Sequence, residues 1–451
     1  MKYKALFGDG GGGGFTPEDE GKVVQDGALV SQTSLSVSEN DTYDTTTISS
    51  VTVDVPQGGG GGAEENDVMF YDYDGTVLYS YSAADFANLD AMPNIPAHEG
   101  LTAQGWNWTL ADAKTYVQAN GYLDIGALYY VADYATRIVV ETPCPNVTAT
   151  TSISINGTVG FTYDDEPEVE YTGTSISSEQ HKEHTFAEAG THVITIRKKT
   201  DATQYGFSGN STQGSHLFYS HTGVNNKDLV YLSMVRSVVI GQGCELQRYA
   251  FCHLHWMKTL ILSEGATFKS GESGIFENAT ALKCLIFPST VTVLKDEISN
   301  MQGLETVSFH KTLTFASSVT LFMNASPKRV IIPPSSTSLQ QFNFRNIFYC
   351  QTIIIPEGIE TMGSNSMQAQ YSVMRLTIPS TVTEIGSYAM TNLIGLKELH
   401  VKPVAVPTLG TGALDNFPSD CIIYVPASAV EDYKTDANWS TYASQIQAEP
   451  S

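Results

Sequence analysis

The residues whose types could do chemistry are few and scattered along the chain. Asp72 and Asp74 stand two apart at the end of the apolar run Val68-Met-Phe-Tyr and lead into Gly75. Paired carboxylates at a strand end can hold a cation or act as a nucleophile. Asp-Gly between two alternating runs is also a strong hairpin signal, and the following Val77-Leu-Tyr-Ser-Tyr81 alternates as a second strand should, so we assign Asp74-Gly75 to a turn. His253 and His255 beside Trp256 could form a metal or sugar subsite only if the segment is extended and both rings share a face; packing or surface exposure is the simpler reading. The cysteines Cys144, Cys244, Cys252, Cys284, Cys350 and Cys421 show no CxxC and no ligand spacing. They read as small buried apolar groups, with neither zinc nor a disulfide framework expected. The glycine tracts at residues 10–14 and 58–62 lack the Lys-Ser/Thr ending that cradles phosphate, and no nucleophile elbow or zinc-protease helix is present. We therefore expect no catalytic residue, no cofactor and no metal. A glycan-cleaving carboxylate pair has no local signature, so a glycan hydrolase stays among the alternatives.

Charge narrows the partners. The 451 residues carry 48 acidic and 24 basic side chains, a formal net charge of -24, which repels phosphate backbones and anionic lipid. No run approaches the roughly 18 apolar residues of a membrane span, so neither nucleic acid nor membrane insertion is expected. Only 16% of residues are charged, and Gly, Ser, Thr, Tyr and Val abound, as in β-rich extracellular or virion proteins. Residues 1–14 contain no apolar run of signal-peptide length. Synthesis in the cytosol without export is the expectation, and the sequons at Asn146 and Asn156 carry no weight.

The elements that must position these residues divide the chain into a mainly β, multidomain protein. Residues 1–62 form a small β module with oligoglycine spacers, with strand signals at Lys22-Val-Val, Ala28-Leu-Val and residues 49–55. Residues 63–135 form a small α+β domain. Its hairpin joins 68–73 to 76–81, Ser82 and Thr109 cap helices, the second helix stops at Asn120-Gly121, and Trp106 and Trp108 anchor the core. Residues 136–225 read as a β-sandwich, with strands at 137–141, 152–155, 158–163 and 192–197 separated by Gly, Pro and acidic turns. A helical cap occupies residues 427–451.

Residues 226–426 decide the reading. Short aliphatic strands recur as Val238-Val-Ile240, Leu260-Ile-Leu262, Leu285-Ile-Phe287, Val307-Ser-Phe309, Val330-Ile-Ile332, Ile353-Ile-Ile355, Leu376-Thr-Ile378, Leu399-His-Val401 and Ile423-Tyr-Val425, at intervals of 22 to 25 residues. A strand and a return segment that cannot bury themselves alone must stack on their neighbours, which predicts a solenoid. If the first and third residues of each triplet point inwards, the middle ones point out. That outer row is Val239, Ile261, Ile286, Ser308, Ile331, Ile354, Thr377, His400 and Tyr424. So much exposed isoleucine either satisfies strand propensity or marks a docking face for another subunit, a neighbouring domain or a receptor. Ile261, Ile286, Ile331, Ile354, Thr377, His400 and Tyr424 are the candidate contact residues.

Four resemblances accompany these readings. Thr377-Ile-Pro-Ser-Thr-Val-Thr-Glu-Ile-Gly-Ser-Tyr-Ala-Met390 resembles the BspA-type leucine-rich repeat, which implies a leucine-rich-repeat solenoid used for adhesion or recognition. His184-Thr-Phe-Ala-Glu-Ala-Gly-Thr-His-Val-Ile-Thr-Ile196 resembles the penultimate turn and last strand of polycystic-kidney-disease (PKD) type domains, which implies an Ig/PKD-like β-sandwich. Residues 68–76 resemble the nucleophile motif of haloacid-dehalogenase phosphatases, but the unit is too short for that fold. Phe15-Thr-Pro-Glu-Asp-Glu-Gly-Lys-Val-Val24, Thr42-Tyr-Asp, Ser50-Val-Thr-Val-Asp-Val-Pro56 and Leu101-Thr-Ala-Gln-Gly-Trp-Asn-Trp108 resemble bacteriophage or prophage tail-fibre proteins. The fibre resemblance implies a virion receptor-binding protein whose front modules join other virion proteins, whose solenoid meets a host-cell glycan or protein, and which by analogy forms a homotrimer. A bacterial cell-surface adhesin of BspA type is the alternative, with the tail-associated glycan hydrolase a third.

Overall fold

The computed structural model describes residues 22–25, 28–31 and 67–450, apart from 211–213, 220–228, 271–272, 296–297, 317–319, 323, 326, 341–342 and 348. Two compact units are present, Met1–Glu65 and Asn66–Ser451. In the first, Lys22–Gln25 pairs antiparallel with Ala28–Ser31, the two short strands read from Lys22-Val-Val and Ala28-Leu-Val. The strand expected at 49–55 and both oligoglycine tracts lie outside the described residues.

The second unit contains all nine expected solenoid strands. We number the rungs by their strands: Val235–Ile240, Thr259–Leu262, Cys284–Ile286, Thr306–Ser308, Arg329–Ile331, Thr352–Ile354, Arg375–Ile378, Glu398–Val401 and Ile422–Val425. Pairing is parallel and in register, with Val238 opposite Leu260, Leu285 opposite Val307, Val330 opposite Ile353, and Leu376 opposite Leu399. Both inward columns are buried from Val238 and Ile240 to Ile423 and Val425, as alternation requires. Short return strands such as Thr361–Met362, Glu384–Ile385 and Thr408–Leu409 build the second wall, again in parallel. One continuous core runs from Ile138 to Ile446.

Each return turns through a residue in the left-handed region. Asn278, Asn300, Asn324, Asn346, Asn392 and Asn416 hold φ between 56 and 65°, in one column with His253 and Ala369. Asparagine tolerates this conformation because its short amide bonds locally. Here the amides also bond between rungs, Asn324 Nδ2 donating to Asn300 Oδ1 at 2.8 Å and Asn416 Nδ2 to Asn392 Oδ1 at 2.7 Å. Ala369 interrupts the column with φ 62° and has no such compensation. Ala369→Gly is expected to stabilise the fold by about 1 kcal/mol, read as a rise in the denaturant midpoint at unchanged slope. A fall would show that the turn's strain is relieved elsewhere.

Residues 136–225 depart from the separate sandwich expected of them. Strands form at Thr136–Thr142, Val147–Tyr163, Val169–Phe186 and Gly190–Lys198, but they belong to a nine-stranded sheet whose two ends are the solenoid itself. At one end Thr136–Thr142 pairs with the rung-1 strand, Val238 opposite Ile138; at the other, Gln204–Phe207 pairs with the return strand Cys244–Leu246. The sheet therefore bends from one wall to the other and seals the first rung. The two strands read at 152–155 and 158–163 are one, because Asn156-Gly157 sits opposite Thr174-Gly173 and keeps pairing instead of turning. Val169–Phe186 went unread. It is mostly polar and half-exposed, and its partner strand holds it extended.

At the far end, Ile446–Ala448 adds a tenth parallel strand. The helix Val430–Thr435 and a 3-10 turn at Trp439–Tyr442 close the core with Tyr433 and Trp439 wholly buried. The helical cover was expected; the extra strand was not.

Candidate contact face

The small α+β unit has its sheet in the order Val77–Tyr81, Val68–Tyr71, Leu123–Tyr130, Thr102–Trp106. Asp74-Gly75 turns its hairpin, with Gly75 at φ 91°. Ser82 Oγ and Thr109 Oγ1 cap the helices Ala83–Ala87 and Leu110–Asn120, and Gly121 ends the second. These features follow the sequence reading; strands Thr102–Trp106 and Leu123–Tyr130 do not appear in it.

This unit lies on the outer row of the solenoid. Val239 and Ile261 pack against Ala127, Tyr129 and Val131, Ile286 against Leu128, and Ile331 with Ile354 against the core of Val68, Phe70, Trp108 and Tyr116. Gly126 leaves no space for a Cβ, which would lie 2.4 Å from Ile286. Ser308 donates from Oγ to the Asp124 carbonyl at 2.7 Å. The row expected to face solvent is thus covered along rungs 1 to 6. Its cover is a neighbouring domain of the same chain, one of the three occupants the pattern allowed, so Ile261, Ile286 and Ile331 are not open to a separate partner. Thr377 is exposed, while His400 and Tyr424 are partly so.

Polar anchors fix the register, one to each rung from the second to the sixth. The Glu264 amide donates to Gln104 Oε1 at 2.7 Å, and Asn107 Nδ2 donates to the Phe287 carbonyl at 3.3 Å. Trp108 Nε1 donates to the Phe309 carbonyl at 2.8 Å, Tyr116 OH to the Ile332 carbonyl at 2.7 Å, and the Glu357 amide donates to Asn120 Oδ1 at 2.8 Å. Asn107 also donates to Ser308 Oγ at 3.0 Å. Trp108 therefore anchors more than its own core. Burial pushes the Tyr116 phenol far up, so it stays a neutral donor.

Charged groups border the same contact. Lys311 meets Asp112 at 2.6 Å and, with Thr109, holds that carboxyl below its usual range. Burial depresses the His310 imidazole, and Glu264 and Asp112 oppose the shift only in part. The unfolded chain then takes up this proton near the ordinary value of 6.5, while the folded chain does so only at lower pH. Stability must fall as pH drops through that range, and the loss is complete below the folded value. We expect acid titration from about pH 7 to 5 to destabilise wild type more than His310→Gln, as compared by urea midpoints. Parallel curves would show that His310 is uncoupled.

On the uncovered rungs, His400 stacks on Tyr424 with centroids 4.9 Å apart and meets Glu449 at 2.8 Å and Glu398 at 3.3 Å. Lys402 also meets Glu449 at 2.8 Å. Burial alone would raise the Glu449 carboxyl, but the hydrogen bonds from Lys402 and His400 hold it below its usual range.

Asp72, the strand-end carboxylate, is buried and bonded to His98 Nε2 at 2.7 Å. It braces the loop beneath Tyr73 and Tyr129, a structural placement that fits the hairpin reading. His253 is buried in a left-handed turn and His255 meets Thr280 Oγ1 at 3.2 Å; the rings stand 5.6 Å apart while Trp256 is exposed. Cys244, Cys252, Cys284, Cys350 and Cys421 are buried and Cys144 is exposed. Burial pushes the Cys421 thiol up to about 12, as expected of an inert apolar group.

These features define a leucine-rich-repeat solenoid with an intramolecular domain docked on one sheet. The repeats are of BspA type: the family described as BspA type leucine rich repeat region matches in six copies over residues 214–320 and 318–431. No curated protein matches the chain. Among solved structures, a leucine-rich repeat protein from Bacteroides ovatus is similar at 15% identity, over 48% of this chain and 66% of that one, with a TM-score of 0.30. A leucine rich cell surface protein from Faecalibacterium prausnitzii is similar at 16% identity, over 53% of this chain and 76% of that one, with a TM-score of 0.25. This chain spans just under two thirds of the first of these proteins.

Proposed function

We propose that the protein is a non-catalytic recognition protein acting at a cell surface, an adhesin built of BspA-type repeats whose solenoid is the contact wall. One observation carries the reading: nine stacked rungs share a single core and are sealed at both ends, which makes a rigid display surface rather than a cleft. Contact falls to rungs 7 to 9, which the small unit leaves open and where Thr377, His400 and Tyr424 lie. The partner is a surface glycan or protein, bound weakly at each site and strengthened by multiple copies.

The tail-fibre reading rests on the motifs between residues 15 and 130. It places the protein on a virion, with residues 1–62 joined to other virion proteins. Gold-labelled antibody on producing bacteria and on purified particles separates the two readings: label on the bacterial envelope supports the adhesin, and label confined to particles supports the fibre. Fluorescent full-length protein should bind target cells saturably and release no reducing ends from their envelope. Release of reducing ends without saturable binding would replace both readings with a hydrolase.

A further inference from the structure

In the small unit, between the helix Ala83–Ala87 and the strand Thr102–Trp106, residues 92–98 are neither helix nor strand. They read Met92-Pro-Asn-Ile-Pro-Ala-His98, a Pro-x-x-Pro pattern. Exposure repeats every three residues. Ala91, Asn94 and Ala97 are exposed, while Met92, Pro93, Ile95, Pro96 and His98 are half-buried. Three residues per turn is the period of the polyproline II helix, which makes no internal hydrogen bonds and leaves its carbonyls to other donors. Side chains of the small unit supply those donors. Trp106 Nε1 donates to the Pro93 carbonyl at 2.9 Å, Tyr79 OH to the Asn94 carbonyl at 2.9 Å and Tyr129 OH to the Pro96 carbonyl at 3.4 Å. Met92 packs on the core that contains Phe70 and Ile95 on the one that contains Tyr129, with Trp106 joining both. Lys114 Nζ, donating to the Leu89 carbonyl, clasps one end of this strap, and the bond between His98 and Asp72 clasps the other.

We propose that the groove under the strap is a binding site for proline-rich extended peptide, and that the strap occupies it in cis. The occupant defines the ligand. An aromatic floor whose indole and phenol groups donate to the carbonyls of an extended Pro-x-x-Pro segment is the mode by which folded domains read such peptides. Apolar cover alone would need only Met92 and Ile95. Three side chains aimed at the backbone of residues 93, 94 and 96 instead recognise the extended conformation itself, which proline presets at low entropic cost. A tethered ligand acts at an effective concentration in the millimolar range, so a partner's proline-rich segment enters only when the strap lifts. Gly100, at φ 71°, gives the strap's far end a turn that few other residues adopt. The site is separate from the open rungs and does not depend on the solenoid's role as a contact wall.

The probe is the fluorescein-labelled peptide Asp90-Ala-Met-Pro-Asn-Ile-Pro-Ala-His-Glu99, titrated into full-length protein and followed by anisotropy. Pro93→Ala with Pro96→Ala loosens the strap, because alanine lacks the preset backbone angle. This variant should bind the peptide at least about tenfold more tightly than wild type. Ile95→Ser, which frees the strap by removing an apolar contact, should do the same. Adding Tyr79→Phe to either should weaken binding about fivefold, since the ring stays and only the hydroxyl goes. The peptide with both prolines changed to alanine should not bind. Equal affinity in wild type and a folded release variant, undiminished binding of the alanine peptide, or no effect of Tyr79→Phe overturns the proposal. If neither release variant folds, wild type decides. Millimolar peptide should then speed cleavage after Glu99 by a glutamate-specific protease, and an unchanged rate overturns the proposal.

Discussion

Arg329→Ala should destabilise the second unit by about 3–5 kcal/mol, because it strands a carboxylate inside the protein. Arg329 and Asp124 have side chains only 4% and 3% exposed and meet at 3.3 Å, and the guanidinium also donates to the Asp67 carbonyl at 3.0 Å. One residue belongs to rung 5 and the other to the small unit, so the pair sits within their contact. Removing the cation takes away the opposite charge that faces the desolvated Asp124, whereas removing both charges relieves that penalty. The double variant Arg329→Met with Asp124→Leu should therefore recover much of the loss in equilibrium denaturation. In the single variant, Trp108 fluorescence should shift to the red as its site beside Phe309 opens. A loss below about 1 kcal/mol would mean that water reaches Asp124 and that the pair is not sealed.

Trp439→Ala should cost about 3–5 kcal/mol, with the damage concentrated at one end. Trp439 is wholly buried, packs edge-to-face on Tyr433 with centroids 5.2 Å apart, and donates from Nε1 to the Pro407 carbonyl at 2.9 Å. A repeat stack is held by nearest-neighbour contacts, so losing its terminal cover frays the adjacent rungs first. Hydrogen exchange should quicken across residues 398–448 well before it quickens in rungs 2 to 5, which the small unit clamps. Uniform acceleration along the whole solenoid would instead show that it unfolds as one cooperative block.

The solenoid was legible in the sequence because its signal is local and repeated: Leu376-Thr-Ile378 and Leu399-His-Val401 each give inward, outward, inward, and the spacing forces the stack. What covers the outer row was not legible. The isoleucines announced that a cover was needed, but the covering strand, Leu123-Asp-Ile-Gly-Ala-Leu-Tyr-Tyr130, carries Asp124 and Gly126, residues that normally argue against a strand. Both are explained only in three dimensions, Asp124 by Arg329 and Gly126 by the approach of Ile286. Val169–Phe186 is hidden for a similar reason, since polar residues and glycine extend there only because Val147–Tyr163 pairs with them. For the candidate contact residues, the sequence placed Thr377, His400 and Tyr424 on the outer row but did not say which of the three possible occupants would cover the aliphatic members. The asparagine column was readable at one residue per repeat, and its regularity could have located the turn edge.

The anchors from Gln104 to Asn120 have an evolutionary consequence. Repeat arrays change length by duplicating or deleting whole units, and such changes are harmless only where nothing outside the array measures the pitch. Between Glu264 and Glu357 the docked unit does measure it, so a unit gained or lost there would throw every later anchor out of step. Among the described residues, no anchor beyond Glu357 intervenes before the terminal cover. On this geometry a whole repeat could be gained or lost without disturbing an anchor only in the distal segment.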